Sequence, residues 1–154
     1  VMDYAEGGDL SSALRRMQDR ERVLPEAWSR AATEQILGAL EYIHEKGVIH
    51  CDLKPANTML LKPFTPDRPA VPHVLLVDFG LAELFVGRHR DGPVQVKGTP
   101  LYLSPEAFEG HVTEKSDLWA VGVMAYEMLL GQKPYQEASV FALWAKISHT
   151  EPPL

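Results

Sequence analysis

Residues 113–130 carry apolar side chains on nearly every side of a helical wheel, and the run stops at Gly131 with Lys133 and Pro134 close behind. A helix of that kind has no face to give to water, so the chain must fold around it. Its longest apolar stretch, residues 121–130, is interrupted by Tyr126 and Glu127. It falls short of the ~20 residues that cross a bilayer. Asp117 also lies inside this apolar helix. Burying it unpaired would be costly, so it is expected to be satisfied by neighbours.

A second periodic segment begins at Pro25 and places Trp28, Ala32, Ile36, Ala39, Leu40 and Ile43 on one face, with Gly47 after its end. Asp9 can cap a helix over residues 10–17, and the charged run at 19–22 reads as its solvated end. The short apolar runs 48–49, 58–61 and 74–77 suit small strands. Residues 62–73 hold four prolines and read as an extended surface loop. A last helix is expected over 139–148, with Val140, Leu143, Trp144 and Ile147 on one side. Residues 1–4 read as a strand end that Gly7 and Gly8 break. The expected class is mainly α with small β hairpins.

Charge narrows the partners. With 15 basic and 21 acidic residues the formal charge is -6, so there is no general electrostatic reason to expect nucleic acid or an anionic membrane. A single cysteine, Cys51, excludes an internal disulfide and a multi-cysteine zinc site. An intracellular, cytoplasmic setting is expected. Val1 is not a starting methionine, no signal peptide opens the chain, and EPPL closes it within a loop, so it reads as an excerpt of something longer.

The chemistry concentrates in HCDLKPAN at residues 50–57, which sets an acid, a cation and a carboxamide on a turn between two short strands. An aspartate can orient a hydroxyl and accept its proton. A lysine can neutralise charge on a phosphoryl group, and an asparagine oxygen can ligate a hard cation. Residues 77–80, VDFG, then add a carboxylate at the end of an apolar strand, with Gly80 expected to permit unusual backbone angles. GTPLYLSPE at 98–106 and DLWAVG at 117–122 follow. Any one of these residues alone is ordinary in a loop or a core.

Together and in this order, the four motifs resemble those of the eukaryotic protein kinase family, serine/threonine type, and the resemblance runs the length of the chain. It implies an incomplete kinase domain over residues 1–154: 1–8 as the hinge and 9–154 as the carboxyl-terminal lobe through the helix after the central one. The amino-terminal lobe, a partner in cis, and the last part of the domain are expected to lie elsewhere. The resemblance implies Asp52 as catalytic base, Lys54 on the transferred phosphate, and Asn57 and Asp78 on magnesium. Thr99 would hydrogen-bond Asp52 and Lys54. Met2 would be the gatekeeper, the backbones of Asp3 and Ala5 would face adenine, Asp9 would reach the ribose and Met59 would floor the base. Asp117 would tie the catalytic loop to the central helix. ATP and Mg2+ are the implied cofactors, and a protein with serine or threonine the implied substrate. DFGLAELF looks like calcium/calmodulin-regulated and calcium-dependent kinases, and VMDYAEGGDL also resembles NIMA-related ones. A pseudokinase-like scaffold is the alternative; the joint presence of Asp52, Lys54, Asn57 and Asp78 favours the enzyme.

The chain also departs from the family pattern. Cys51 stands where many kinases carry an arginine that grips an activation-segment phosphate, and residues 81–97 contain no serine, threonine or tyrosine. Activation-segment phosphorylation is therefore not expected to switch this kinase. Arg88, His89 and Arg90 read as a solvated tip, and Cys51 as a small buried residue. Ala56 replaces an acid that basophilic kinases often carry while Glu127 retains another, so a strong arginine preference is not expected. Val96, Pro100 and Leu103 would make the pocket after the target residue apolar. Without a glycine-rich loop, an amino-lobe lysine or the late arginine that partners Glu106, these residues alone are expected to be inactive, with apolar groups exposed on the lobe-facing surface.

Overall fold

A computed structural model describes residues 5–67, 69–84 and 99–153. Five helices carry the fold: α1 (Leu10–Gln18), α2 (Glu26–Glu45), α3 (Pro105–Phe108), α4 (Glu114–Leu130) and α5 (Val140–His149). Four short strands, β1 (Val48–Ile49), β2 (Thr58–Leu60), β3 (Val74–Leu76) and β4 (Glu83–Leu84), form two antiparallel pairs. β2 pairs with β3 in the register Met59 to Leu75, and β1 pairs with β4 in the register Ile49 to Glu83. The expected class, mainly helical with small β elements, is observed; β2 and β3 form a hairpin, but β1 pairs with β4 across them.

The caps follow from side-chain chemistry. Asp9 accepts the Ser12 amide at the start of α1, and Ser139 accepts that of Ala142 at the start of α5. Thr113 and Ser116 close a reciprocal box at the start of α4. Gly131 ends α4 in the left-handed conformation.

The main core lies where α2 packs on α4. Ile36, Leu40, Ala32 and Trp28 from α2 meet Val121, Met124 and Met128 from α4, with Leu10, Leu14 and Met17 of α1 closing one side. A second cluster gathers Tyr135, Leu143 and Ile147 with Leu101, Phe108 and Trp119. Among the described residues no helix is long and apolar enough to cross a membrane.

Three expectations need correction. The proline-rich stretch is not purely a surface loop: Phe64 is buried, and its ring meets Trp28 edge-on with centroids 5.2 Å apart. Four prolines forbid a helix there but do not stop one aromatic side chain from reaching the core. The α4 helix is central along most of its length, yet Leu118, Leu129 and Leu130 are exposed. The β2 and β3 strands each stop one residue short of the apolar runs that announce them, at Leu60 and Leu76.

Candidate active site

The loop between β1 and β2 is held from below by α4. The Asp117 carboxylate accepts the backbone amides of His50 at 2.9 Å and Cys51 at 3.1 Å, and takes the His44 Nε2–H at 2.8 Å. A buried acid in an apolar helix is thereby fully satisfied, as its position required. His50 is completely buried. Its Nδ1 accepts the Asp52 amide at 3.4 Å, so the ring proton resides on Nε2 and is donated to the Val77 carbonyl at 3.2 Å. One histidine thus ties the loop to the segment that follows β3.

These constraints converge on Asp52, which is 9 % exposed. Its Oδ2 accepts Lys54 Nζ at 2.6 Å and Asn57 Nδ2 at 3.1 Å, and its Oδ1 accepts Thr99 Oγ1 at 3.1 Å. Thr99 Oγ1 in turn accepts Lys54 Nζ at 2.9 Å. Asp52, Lys54 and Thr99 therefore form a closed three-membered ring of hydrogen bonds drawn from two distant parts of the chain. Asn57 is oriented by a second bond from Nδ2 to the Asp52 carbonyl at 2.9 Å. Its Oδ1 accepts no hydrogen bond among the described residues.

Asp78 lies beside this set because the Val77 amide donates to the Asn57 carbonyl at 3.0 Å. Its side chain is solvent-exposed, with Oδ1 accepting the Gly80 amide at 3.3 Å. The unusual backbone angles fall on Asp78, at φ 64°, and not on Gly80 as expected. A Cβ on Gly80 would stand 3.0 Å from Asp78 Oδ1, a side-chain atom free to shift. Cys51, also left-handed at φ 66°, is half-buried, more open than expected. Both positive-φ residues flank the acid set, where strained backbone is commonly found.

At the far edge of the site, residues 7–9 run along β2. Gly7 N donates to the Leu60 carbonyl at 2.9 Å, Leu60 N donates to the Gly8 carbonyl at 2.8 Å, and Asp9 and Met59 form a β-bridge. Asp9 and Met59 are thereby brought together. Burial pushes the Asp9 carboxyl up, but hydrogen bonds from the Ser11 hydroxyl and from Ser12 outweigh it and hold the group below its ordinary value. Ala5 precedes this run, its carbonyl accepting the Gly8 amide at 3.3 Å. Met2, Asp3, Val96 and residues 88–90 lie outside the described residues.

Two features escaped sequence reasoning. His44 reaches Asp117 across 73 positions, which no local spacing announces. Glu127 accepts Tyr102 Oη at 2.8 Å and Lys133 Nζ at 2.7 Å, joining α4, the turn after Thr99 and the chain beyond Gly131. Glu106, whose expected arginine partner is not in the chain, accepts the Ser116 hydroxyl at 2.9 Å.

The whole arrangement can be set beside known proteins. Residues 1–150 match the protein kinase domain family. Over 148 residues, 96 % of the chain, it is 38 % identical to the serine/threonine-protein kinase ULK3 of Xenopus laevis. It is 38 % identical over 143 residues to the serine/threonine-protein kinase ULK1 of Homo sapiens, and 33 % identical over 154 residues to CBL-interacting protein kinase 10 of Oryza sativa. The match spans 29 %, 13 % and 31 % of those proteins, and 96 %, 90 % and 98 % of this chain. An acid set on a loop pinned to a central helix, matched almost end to end by these relatives, makes this chain a member of the eukaryotic serine/threonine protein kinase family.

Proposed function

We propose that the protein carrying this chain transfers the γ-phosphoryl group of ATP to serine or threonine hydroxyls of protein substrates. The observation that supports this best is the closed ring of Asp52, Lys54 and Thr99. A carboxylate offers about four lone-pair positions. Three are taken on Asp52, two on Oδ2 and one on Oδ1. One position on Oδ1 is left for an incoming alcohol, so Asp52 can orient the hydroxyl and accept its proton. Lys54, fixed by two bonds, places its ammonium beside that reaction point, where negative charge on a transferred phosphoryl group needs neutralising. Thr99 holds both in register.

The metal fits the donors. Among the described residues Asn57 spends its N–H groups on Asp52 and keeps Oδ1 open, while Asp78 presents an exposed carboxylate with a single amide bound. An all-oxygen pair of this kind suits a hard divalent cation. Asn57 and Asp78 would hold magnesium, and magnesium ATP would supply the phosphoryl group together with positive charge to offset that of the phosphates. The backbones of Asp3 and Ala5 are proposed to face the adenine edge and Met2 to be the gatekeeper, with Met59 on the flat side of the base and Asp9 at the ribose. An amino-terminal lobe in cis would complete the nucleotide cradle, and these residues alone are proposed to be inactive.

The test is phosphate incorporation by the full-length protein beside its Asp52→Asn variant, with magnesium ATP and a generic serine/threonine substrate. A loss of about 10²-fold or more is expected for the variant. Equal incorporation by both would remove Asp52 as the base.

A further inference from the structure

A groove of about 390 Å³ opens directly beside the Asp52 ring, between α1 and the turn that follows Thr99. Lys54 and Thr99 belong to both, so a substrate whose hydroxyl sits at Asp52 can lay a neighbouring residue into this groove. Its charged lining is Arg15, Lys54, Lys133 and Glu127. Glu127 is the one carboxylate among these lining residues, and it is already engaged on both oxygens: Oε2 by the Tyr102 hydroxyl and Oε1 by Lys133. Lys133 also stands 5.7 Å from the centre of the Tyr102 ring, closing the set. The left-handed Gly131 makes this possible, turning the chain back so that Lys133 reaches the last turn of α4.

The cations are not equally engaged. Lys54 is committed to Asp52 and Thr99, and Lys133 to Glu127. Arg15 is exposed and its guanidinium makes no close ion pair among the described residues, its nearest charge relation being the longer-range one with Asp9. The groove therefore offers positive charge and no free carboxylate. Resting on the kinase reading above, we propose that Lys133 sets substrate choice here: by masking Glu127 it makes the groove a subsite for an anionic side chain and excludes a cationic one.

A cationic side chain would meet Arg15 and could reach Glu127 only by displacing Lys133. That would leave the ammonium of a side chain only 23 % exposed without its partner. An anionic side chain meets Arg15 and the edge of Lys133 with no bond broken. Discrimination by a repulsive element of this sort acts chiefly against the wrong partner. Aromatic packing of Tyr102 under Lys133 keeps the ammonium in place. Burial first, and the Glu127 charge second, hold the Tyr102 phenol well above its ordinary range, so it stays protonated and donates.

The experiment uses the full-length protein, magnesium ATP, and serine peptides carrying Glu, Gln or Arg in turn at each position flanking the acceptor. At one flanking position kcat/KM for Glu is expected to exceed that for Arg by about fivefold or more. Lys133→Ala frees Glu127 and is expected to bring that ratio to one or below. Lys133→Gln, which still donates to Glu127 without charge, should lower it part of the way. Equal or Arg-favouring rates at every position with the wild-type protein overturn the proposal, as does a Lys133→Ala ratio unchanged while all rates fall together. Failure to phosphorylate any peptide overturns the kinase reading instead, which separates the two.

Discussion

The Asp117 carboxylate on α4 accepts the backbone amide of His50, 67 positions away, at 2.9 Å, and this bond fixes where the loop between β1 and β2 begins. Because Cys51 N and His44 Nε2 converge on the same group, one acid satisfies three donors in the interior. Asp117→Ala would orphan them together. The expected cost is at least about 3 kcal/mol of stability, since each lost partner leaves a desolvated donor behind. Asp117→Asn, which retains one acceptor oxygen, should recover part of it. Urea denaturation of the full-length protein and both variants checks the order, and equal stability of Ala and wild type would contradict it.

Thr99 makes a narrower prediction. Its hydroxyl accepts from Lys54 and donates to Asp52, so Thr99→Ala removes two bonds from the ring without touching either charged group. On the proposed function, kcat should fall roughly tenfold with little change in the KM for peptide, and Thr99→Ser should restore it. A serine variant as impaired as the alanine one would show that the methyl group and not the hydroxyl matters.

Local chemistry wrote much of this into the sequence. Asp9 announces the start of α1 because a short polar side chain at a cap has one obvious amide to serve, while Thr113 and Ser139, expected as the first residues of their helices, serve as caps. The requirement that Asp117 be paired followed from its apolar surroundings, and its partners came from the loop at His50 and Cys51. What stayed hidden depends on contacts between remote segments. The burial of Phe64 against Trp28 is a tertiary event inside a stretch that looks like surface by composition. The capture of Glu127 by Lys133 requires the chain reversal at Gly131, and no helical spacing encodes it. Glycine is the usual host of a left-handed residue, so the residues point to Gly80, whereas the turn falls on Asp78.

Phe64 supplies a stability test. It is 5 % exposed and packs edge-on to Trp28, so Phe64→Ala should leave a void under the proline-rich stretch. Truncations of this kind cost about 3–5 kcal/mol. Phe64→Leu, which fills most of the space, should cost appreciably less. A Phe64→Ala midpoint within error of wild type in thermal unfolding would mean that the ring contributes nothing to the core.

Asp9 titrates below its ordinary value of 3.8, because bonds from Ser11 and Ser12 to the charged form outweigh the opposing effect of burial. A carboxyl whose folded value is lower than its unfolded one contributes stability that is fully present above the unfolded value. That contribution disappears as pH falls from 3.8 through the lowered folded value. Carboxyl-carbon NMR should place the Asp9 midpoint below 3.8, and Ser11→Ala should move it upward. A wild-type midpoint at or above 3.8 would remove the cap from the account of α1.

Gly7 and Gly8 look interchangeable in sequence, and the structure predicts that they are not. A Cβ on Gly7 would stand 2.3 Å from the Lys62 carbonyl oxygen and 2.4 Å from that of Leu60, backbone atoms that cannot yield separately. A Cβ on Gly8 would meet nothing within 4 Å, although its φ of +71° disfavours any side chain. Gly7→Ala should therefore force residues 7–9 away from β2 and part Asp9 from Met59, at about 1–3 kcal/mol or more. Gly8→Ala should cost only about 1–2 kcal/mol of backbone strain and leave that pairing intact. If Asp9 and Met59 line the nucleotide site, the KM for ATP should rise several-fold in Gly7→Ala and little in Gly8→Ala, with the peptide KM nearly constant in both. Equal effects of the two substitutions on the ATP KM would mean that the approach of Gly7 to β2 does not shape that site.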